Sequence, residues 1–160
     1  MSLVTDIAFV AALQSNTTLM AKLAAKKVYN TSIAVPDKDL INAPLPYIIV
    51  SFDGLQNDTS TKDCSYDAEE DKVQIGIEIA ARSRRKLGEL AQDVRDTVRS
   101  YFENYSAPSS EMEEDLTDII PDDYTFSANG VQYDPDKPCY FQTLTYNCDT
   151  KNIYSNDEQE

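Results

Sequence analysis

Between residues 72 and 81, Val73, Ile75, Ile77 and Ile79 alternate with Gln74, Gly76 and Glu78. A strict period of two buries one face of a β-strand. Past Ser83 the period becomes helical, and Leu87, Leu90, Ala91, Val94, Val98, Tyr101 and Phe102 form one apolar stripe between residues 84 and 105. Ser83 stands where an N-cap is needed. A half-buried strand running straight into a strongly amphipathic helix calls for a sheet with that helix laid on one face.

The other segments fit around this unit. Residues 46–53 carry a nearly continuous apolar run, Tyr47 to Val50 and Phe52, which predicts a strand covered on both faces. Residues 54–71 hold one leucine and no other large aliphatic side chain, the pattern of a long polar loop or a protruding hairpin. Residues 3–14 and 18–27 have helical spacing, with Asn16 or Thr17 as the cap between them. Residues 28–35 are rich in β-branched side chains and predict a short edge strand, and residues 111–119 a short acidic helix. Residues 124–133 and 139–148 read as two strands joined by a turn at 134–138. The expected fold is α+β, with a mostly antiparallel sheet of four or five strands under one long amphipathic helix. A single domain spans 1–148, with a polar arm at 54–71 and an acidic insert at 106–123. Residues 149–160 are expected to form a flexible acidic tail.

Charge narrows the functional classes. Twenty-eight Asp and Glu face fourteen Lys and Arg, a net charge of −14. Binding nucleic acid by neutralising phosphates requires the opposite sign, and so does docking on an anionic membrane. Histidine is absent, which removes Ser-His-Asp and Cys-His catalysis and His-ligated metals. No Walker, GxSxG or GxGxxG sequence occurs, and four glycines are too few for phosphate-cradling loops. The chain is therefore expected not to be an enzyme, with no catalytic, cofactor or metal residues. The acid pairs Asp122-Asp123 and Asp134-x-Asp136 lack the loop pattern of a calcium site. The apolar stretch near the N-terminus has no preceding cation and is interrupted by Asp6, so neither a secretory signal nor a membrane span is expected. Three cysteines, Cys64, Cys139 and Cys148, form no CxxC and are expected as reduced thiols. The odd separation of Cys139 and Cys148 would put them on opposite faces of one strand.

The candidate contact residues are a basic cluster, Arg82, Arg84, Arg85 and Lys86, and an acidic run, Asp67, Glu69, Glu70 and Asp71. Three cations in the first turn of a helix oppose its dipole, which suggests that something outside the helix needs them.

The order of elements, together with the patterns PLPYIIVSF at 45–52 and VQIGIEIAARSRRKLGELAQDVRDTV at 73–98, resembles the tail-terminator and tail-completion (head–tail joining) proteins of long-tailed bacteriophages. The resemblance covers residues 3–148, and the acidic stretch at 111–123 has no counterpart in it. It implies a structural subunit of the virion, assembled in the bacterial host cytoplasm. Copies would form a ring, often six-fold, between head-connector and tail-tube proteins, with DNA passing through without specific binding. The basic cluster would then meet acids at 67–71 or 111–115 on a neighbour. An acidic DNA mimic that inhibits a host DNA-binding enzyme is the alternative reading of the same charge.

Overall fold

The computed structural model describes residues 5–31, 43–57, 68–103 and 119–153. The chain begins with two helices, α1 (Thr5–Gln14) and α2 (Thr17–Lys22), followed by strands β1 (Tyr29–Asn30), β2 (Tyr47–Asn57) and β3 (Ala68–Ala81). The long helix α3 (Arg84–Glu103) follows, then β4 (Ile119–Ala128), β5 (Gln132–Asp134) and β6 (Cys139–Ile153). The fold is α+β. Its six-stranded mixed sheet has the order β1-β2-β3-β6-β4, with β5 also paired to β6. All pairs are antiparallel except β1 with β2.

The sheet exceeds the expected four or five strands for two local reasons. Asn129 and Gly130 break the anticipated 124–133 strand, and the Asn129 N–H bonds the Thr143 carbonyl at 3.0 Å. Both pieces, β4 and β5, then pair along β6. The edge strand expected at 28–35 is described only as Tyr29–Asn30, which runs parallel to β2 at Ile49 and Val50. Polar residues also extend the two central strands. Gly54 to Asn57 pair with Gln74 to Asp71, and β6 follows β3 as far as Ile153. Much of the expected polar arm and the start of the expected tail are therefore strand, as is 119–123 of the acidic insert. Residues 58–67, 104–118 and 154–160, including Cys64, Asp67 and the expected acidic helix, lie outside the described residues.

The helices lie on one face. Ser83 caps α3 through a 3.1 Å bond from the Lys86 N–H to its hydroxyl, and Leu87, Leu90, Val94, Val98 and Phe102 are buried along the helix. They pack with Val73, Ile75, Ile77 and Ile79 of β3 and with Phe9 and Leu13 of α1. Each such side chain taken fully from water contributes about 1.5–3 kcal/mol. Tyr146 lies at the centre, with its ring 5.3 Å from Phe9 and 5.1 Å from Phe126, while Phe9 meets Phe102 edge-on at 5.2 Å.

The second helix stops at Lys22 rather than at 27. Leu23 turns extended, at φ −91 and ψ 142, and is buried. The Ala24 N–H then bonds the Pro46 carbonyl at 3.2 Å. Burial of Leu23 and this bond outweigh helical continuation. Asn16 is the cap: its side-chain oxygen accepts from the Leu19 N–H at 3.1 Å, and its amide donates to Thr97 Oγ1 at 2.9 Å.

Two substitutions test this packing with opposite signs. Asn16→Ala removes a cap and a tie to α3, and is expected to lower unfolding free energy by about 1–2 kcal/mol. The Tyr146 hydroxyl is buried without a hydrogen-bond partner, so Tyr146→Phe is expected to leave stability unchanged or raise it by about 1 kcal/mol. Urea titrations of both variants against the parent chain provide the measurement.

Candidate subunit interface

The basic cluster sits at the corner where β3 ends and α3 begins. Arg82, Arg84 and Arg85 are exposed and Lys86 is half-buried. Arg85 Nε lies 3.5 Å from Glu89 Oε1, but its side chain is 93% exposed, and such a pair contributes little. Among the described residues Arg82, Arg84 and Lys86 have no ion-pair partner. The first turn of α3 holds no acid, so its cations stand against the dipole with nothing local to offset them.

The acidic candidates lie at the other end of the same strand. Glu69 and Glu70 fall in the paired part of β3, opposite Asn152 and Lys151 of β6. From Glu70 to Arg82 the strand runs roughly 40 Å at about 3.3 Å per residue. The fold therefore keeps the two charge groups apart within one molecule. Asp71 does not belong to the surface set: it is 4% exposed, and Asn57 Nδ2 donates to its Oδ1 at 2.6 Å. It faces the helix side of β3, in register with Val73 and Ile75, and Asn57 opposite it is what makes that position tolerable for a carboxylate.

The face without helices is polar. Ser51, Gln74, Glu78, Thr143, Thr145, Asn147, Thr125 and Ser127 share it by register. At Asp53 the β2 register shifts, leaving one unpaired residue. The Asp53 carboxylate folds back over β3 and accepts from Ser51 Oγ at 2.7 Å. It occupies the space above Gly76, where a Cβ would meet Asp53 Oδ2 at 2.4 Å, so the residue opposite Ser51 has to be a glycine. Beyond the bulge, Gly54, Gln56, Lys72, Gln74, Asn147 and Asp149 line an open groove of about 590 Å³.

The other end of this face is closed by contacts between loops. The Lys137 ammonium donates to the Ala43 carbonyl at 2.6 Å and lies 5.1 Å from the centre of the Tyr47 ring. The Tyr47 hydroxyl donates to Glu78 Oε2 at 3.3 Å, and burial, with Glu78 next in weight, raises the Tyr47 pKa. Ala80 and Cys139 are buried in this region. The strand run at 46–53 is thus covered unequally. Ile48 and Val50 are buried under the helices, while Ile49 on the polar face is half-buried.

Among the described residues no group of three or more Cys, Asp or Glu stands where it can hold a metal ion. Asp134 Oδ1 instead accepts from the N–H groups of Asp136 and Lys137, at 3.0 and 3.4 Å, and braces the β5–β6 turn. Among the same residues no helix is long and apolar enough to cross a membrane. The chain matches no protein-family model and no curated protein.

Cys139 and Cys148 are free and buried. Register puts Cys148 on the helix side with Val73 and Cys139 on the polar side, as their odd spacing requires. Burial, with Asp149 adding to it, pushes the Cys148 thiol up from 9.0 to about 12. Folding therefore favours the protonated thiol. Its contribution is complete below pH 9 and drains away as pH rises toward 12. Unfolding free energy is expected to hold steady from pH 7 to 8.5. Above pH 9 it should fall with a contribution from Cys148 approaching about 1.4 kcal/mol per pH unit, and in Cys148→Ala that contribution should vanish. Urea titrations across this range provide the check.

Proposed function

We propose that the chain is a structural subunit of a tailed bacteriophage, a tail terminator or head–tail connector that forms a ring at the head–tail interface for DNA to pass. The observation that carries the reading is the two-sided character of the sheet. One face is sealed by helices. The other is built of hydroxyls, amides and the acids Asp53, Glu78 and Asp149, against Lys72 and Lys137. DNA is retained by cations that displace its counterions. A hydrated wall in which carboxylates outnumber cations lets a polyanion move past without holding it. The resemblance of residues 3–148 to tail-terminator proteins points the same way, as does the net charge of −14.

The basic corner fits this role as a contact between molecules. Its counterparts along β3 are roughly 40 Å distant, so its charge is free to meet an acidic surface on an adjoining copy or on the adjoining head or tail protein. Complementary patches of this kind fix orientation and speed encounter.

Mass measurement in solution, followed by electron microscopy of labelled particles, tests the reading. The expected result is a closed homo-oligomer, six-fold in the simplest case, located where head meets tail. Absence of the chain from virions overturns it. A DNA mimic would remain a monomer or dimer in the same measurement. The double variant Arg84→Glu, Arg85→Glu tests the corner separately. Acids in the first turn suit the helix dipole, so the thermal midpoint should hold or rise slightly, while incorporation into particles should fall at least about ten-fold, the effect of about 1.4 kcal/mol. Normal incorporation of this variant would remove the corner from the contact surface.

A further inference from the structure

The sheet has two open edges at the same height. On one side, β1 pairs only with Ile49 and Val50, and the Thr31 N–H bonds the Val50 carbonyl. From Phe52 to Asn57, no described strand lies along the outer side of β2. On the other side, β4 is the last strand in the order, and residues 125–128 have no strand beyond them among the described residues. The ladders align the two edges. Gly54 pairs with Gln74, Gln74 with Asn147, and Asn147 with Thr125, forming one row across the sheet. Phe52, Ile75, Tyr146 and Phe126 form another row on the helix side.

Natural sheets blunt their edges with charge, proline or short strands. Residues 125–128, Thr-Phe-Ser-Ala, have none of these, and the β2 edge has only the Asp53 bulge. The exposed apolar side chains lie at the same margins. Of the three large ones among the described residues, Leu55 is 36% exposed on β2, and Tyr133 is 52% exposed on β5, which borders β6 on the β4 side.

Direction selects the partner. Strands β2, β3, β6 and β4 alternate, so β4 runs opposite to β2. A second copy set alongside in the same orientation brings its β4 antiparallel to β2 of the first. Apolar rows then meet on the helix side, and Gly54 meets Thr125 on the polar side. The groove takes its lining from β2, β3, β6 and β4, so the sheet curls toward its polar face, the curvature that places that face inside a closed ring.

Resting on the ring reading, we propose that neighbouring copies join by strand pairing. Residues 52–57 of one copy bond residues 125–128 of the next, with helices outside and the polar face inside. In this arrangement the basic corners gather at one end of the ring, facing whatever is stacked there.

The test is a cysteine pair, Gly54→Cys with Thr125→Cys, in full-length chain carrying Cys64→Ser. A Cβ at Gly54 meets nothing within 4 Å. Within one chain the two positions are three strand spacings apart, about 14 Å, too far for a disulfide. Across the proposed junction they are directly opposed. Mild oxidation is expected to give a covalent ladder ending at the full ring, at least ten-fold above either single variant. Rings that form but do not cross-link overturn the strand pairing and leave the ring reading standing. A chain that stays monomeric to millimolar concentration overturns both.

Discussion

The seam between α3 and β3 decides the rest of the molecule. Leu87, Leu90, Val94, Val98 and Phe102 need an apolar floor, and Val73, Ile75, Ile77 and Ile79 supply it. Because a strand alternates its side chains, seating that row under the helix sends Gln74, Gly76 and Glu78 to the opposite side. A slip of one residue would bury Glu78 and Gln74 beneath the helix and expose three isoleucines, so register is strongly specified. The polar face follows from which face the helix takes. Through Tyr146 and Phe9 the same seam ties in β6 and α1, and Arg95 on α3 extends it by resting its guanidinium 4.5 Å from the centre of the Phe126 ring on β4.

Periodicity made this seam legible in the sequence, and its absence hid the margins. Residues 54–57 and 68–71 are strand because they continue a ladder begun by Ile48 and Val50. They are Gly-Leu-Gln-Asn and Ala-Glu-Glu-Asp, with no repeat that distinguishes them from a loop. Strand β1 has only two residues and takes its parallel pairing from tertiary position, which no local pattern encodes. The stop at Lys22 depends on Pro46, more than twenty residues away. Among the candidate contacts, exposure of the arginines was readable from their place at a helix start. Burial of Asp71 was not, because it rests on Asn57 across the ladder. The bulge at Asp53 leaves one trace, the glycine at 76, whose meaning appears only once the two strands are paired.

Glycine, bulge and edge are linked. An extra residue in β2 reverses the alternation beyond Phe52, which returns Leu55 to the helix side opposite Val73 and puts Gly54 on the polar side opposite Gln74. Without the bulge Leu55 would project into the polar groove. The bulge thus keeps the polar face free of large apolar side chains up to the margin of the sheet, at the cost of an acid that needs room. Gly76 provides the room, and Ser51 provides a hydrogen bond to hold it.

Unprotected edges raise the question of what keeps free chains from pairing indiscriminately. Net charge offers a physical answer. At −14, two copies repel over a range set by the Debye length, about 8 Å at physiological ionic strength. Strand hydrogen bonds act only at contact. Approach in a wrong register meets the repulsion without the compensating rows of bonds and apolar contacts. Approach with Gly54 facing Thr125 gains both at once. Charge that would serve a lumen by repelling DNA therefore also serves the free subunit by making strand pairing selective, and the two roles draw on the same carboxylates.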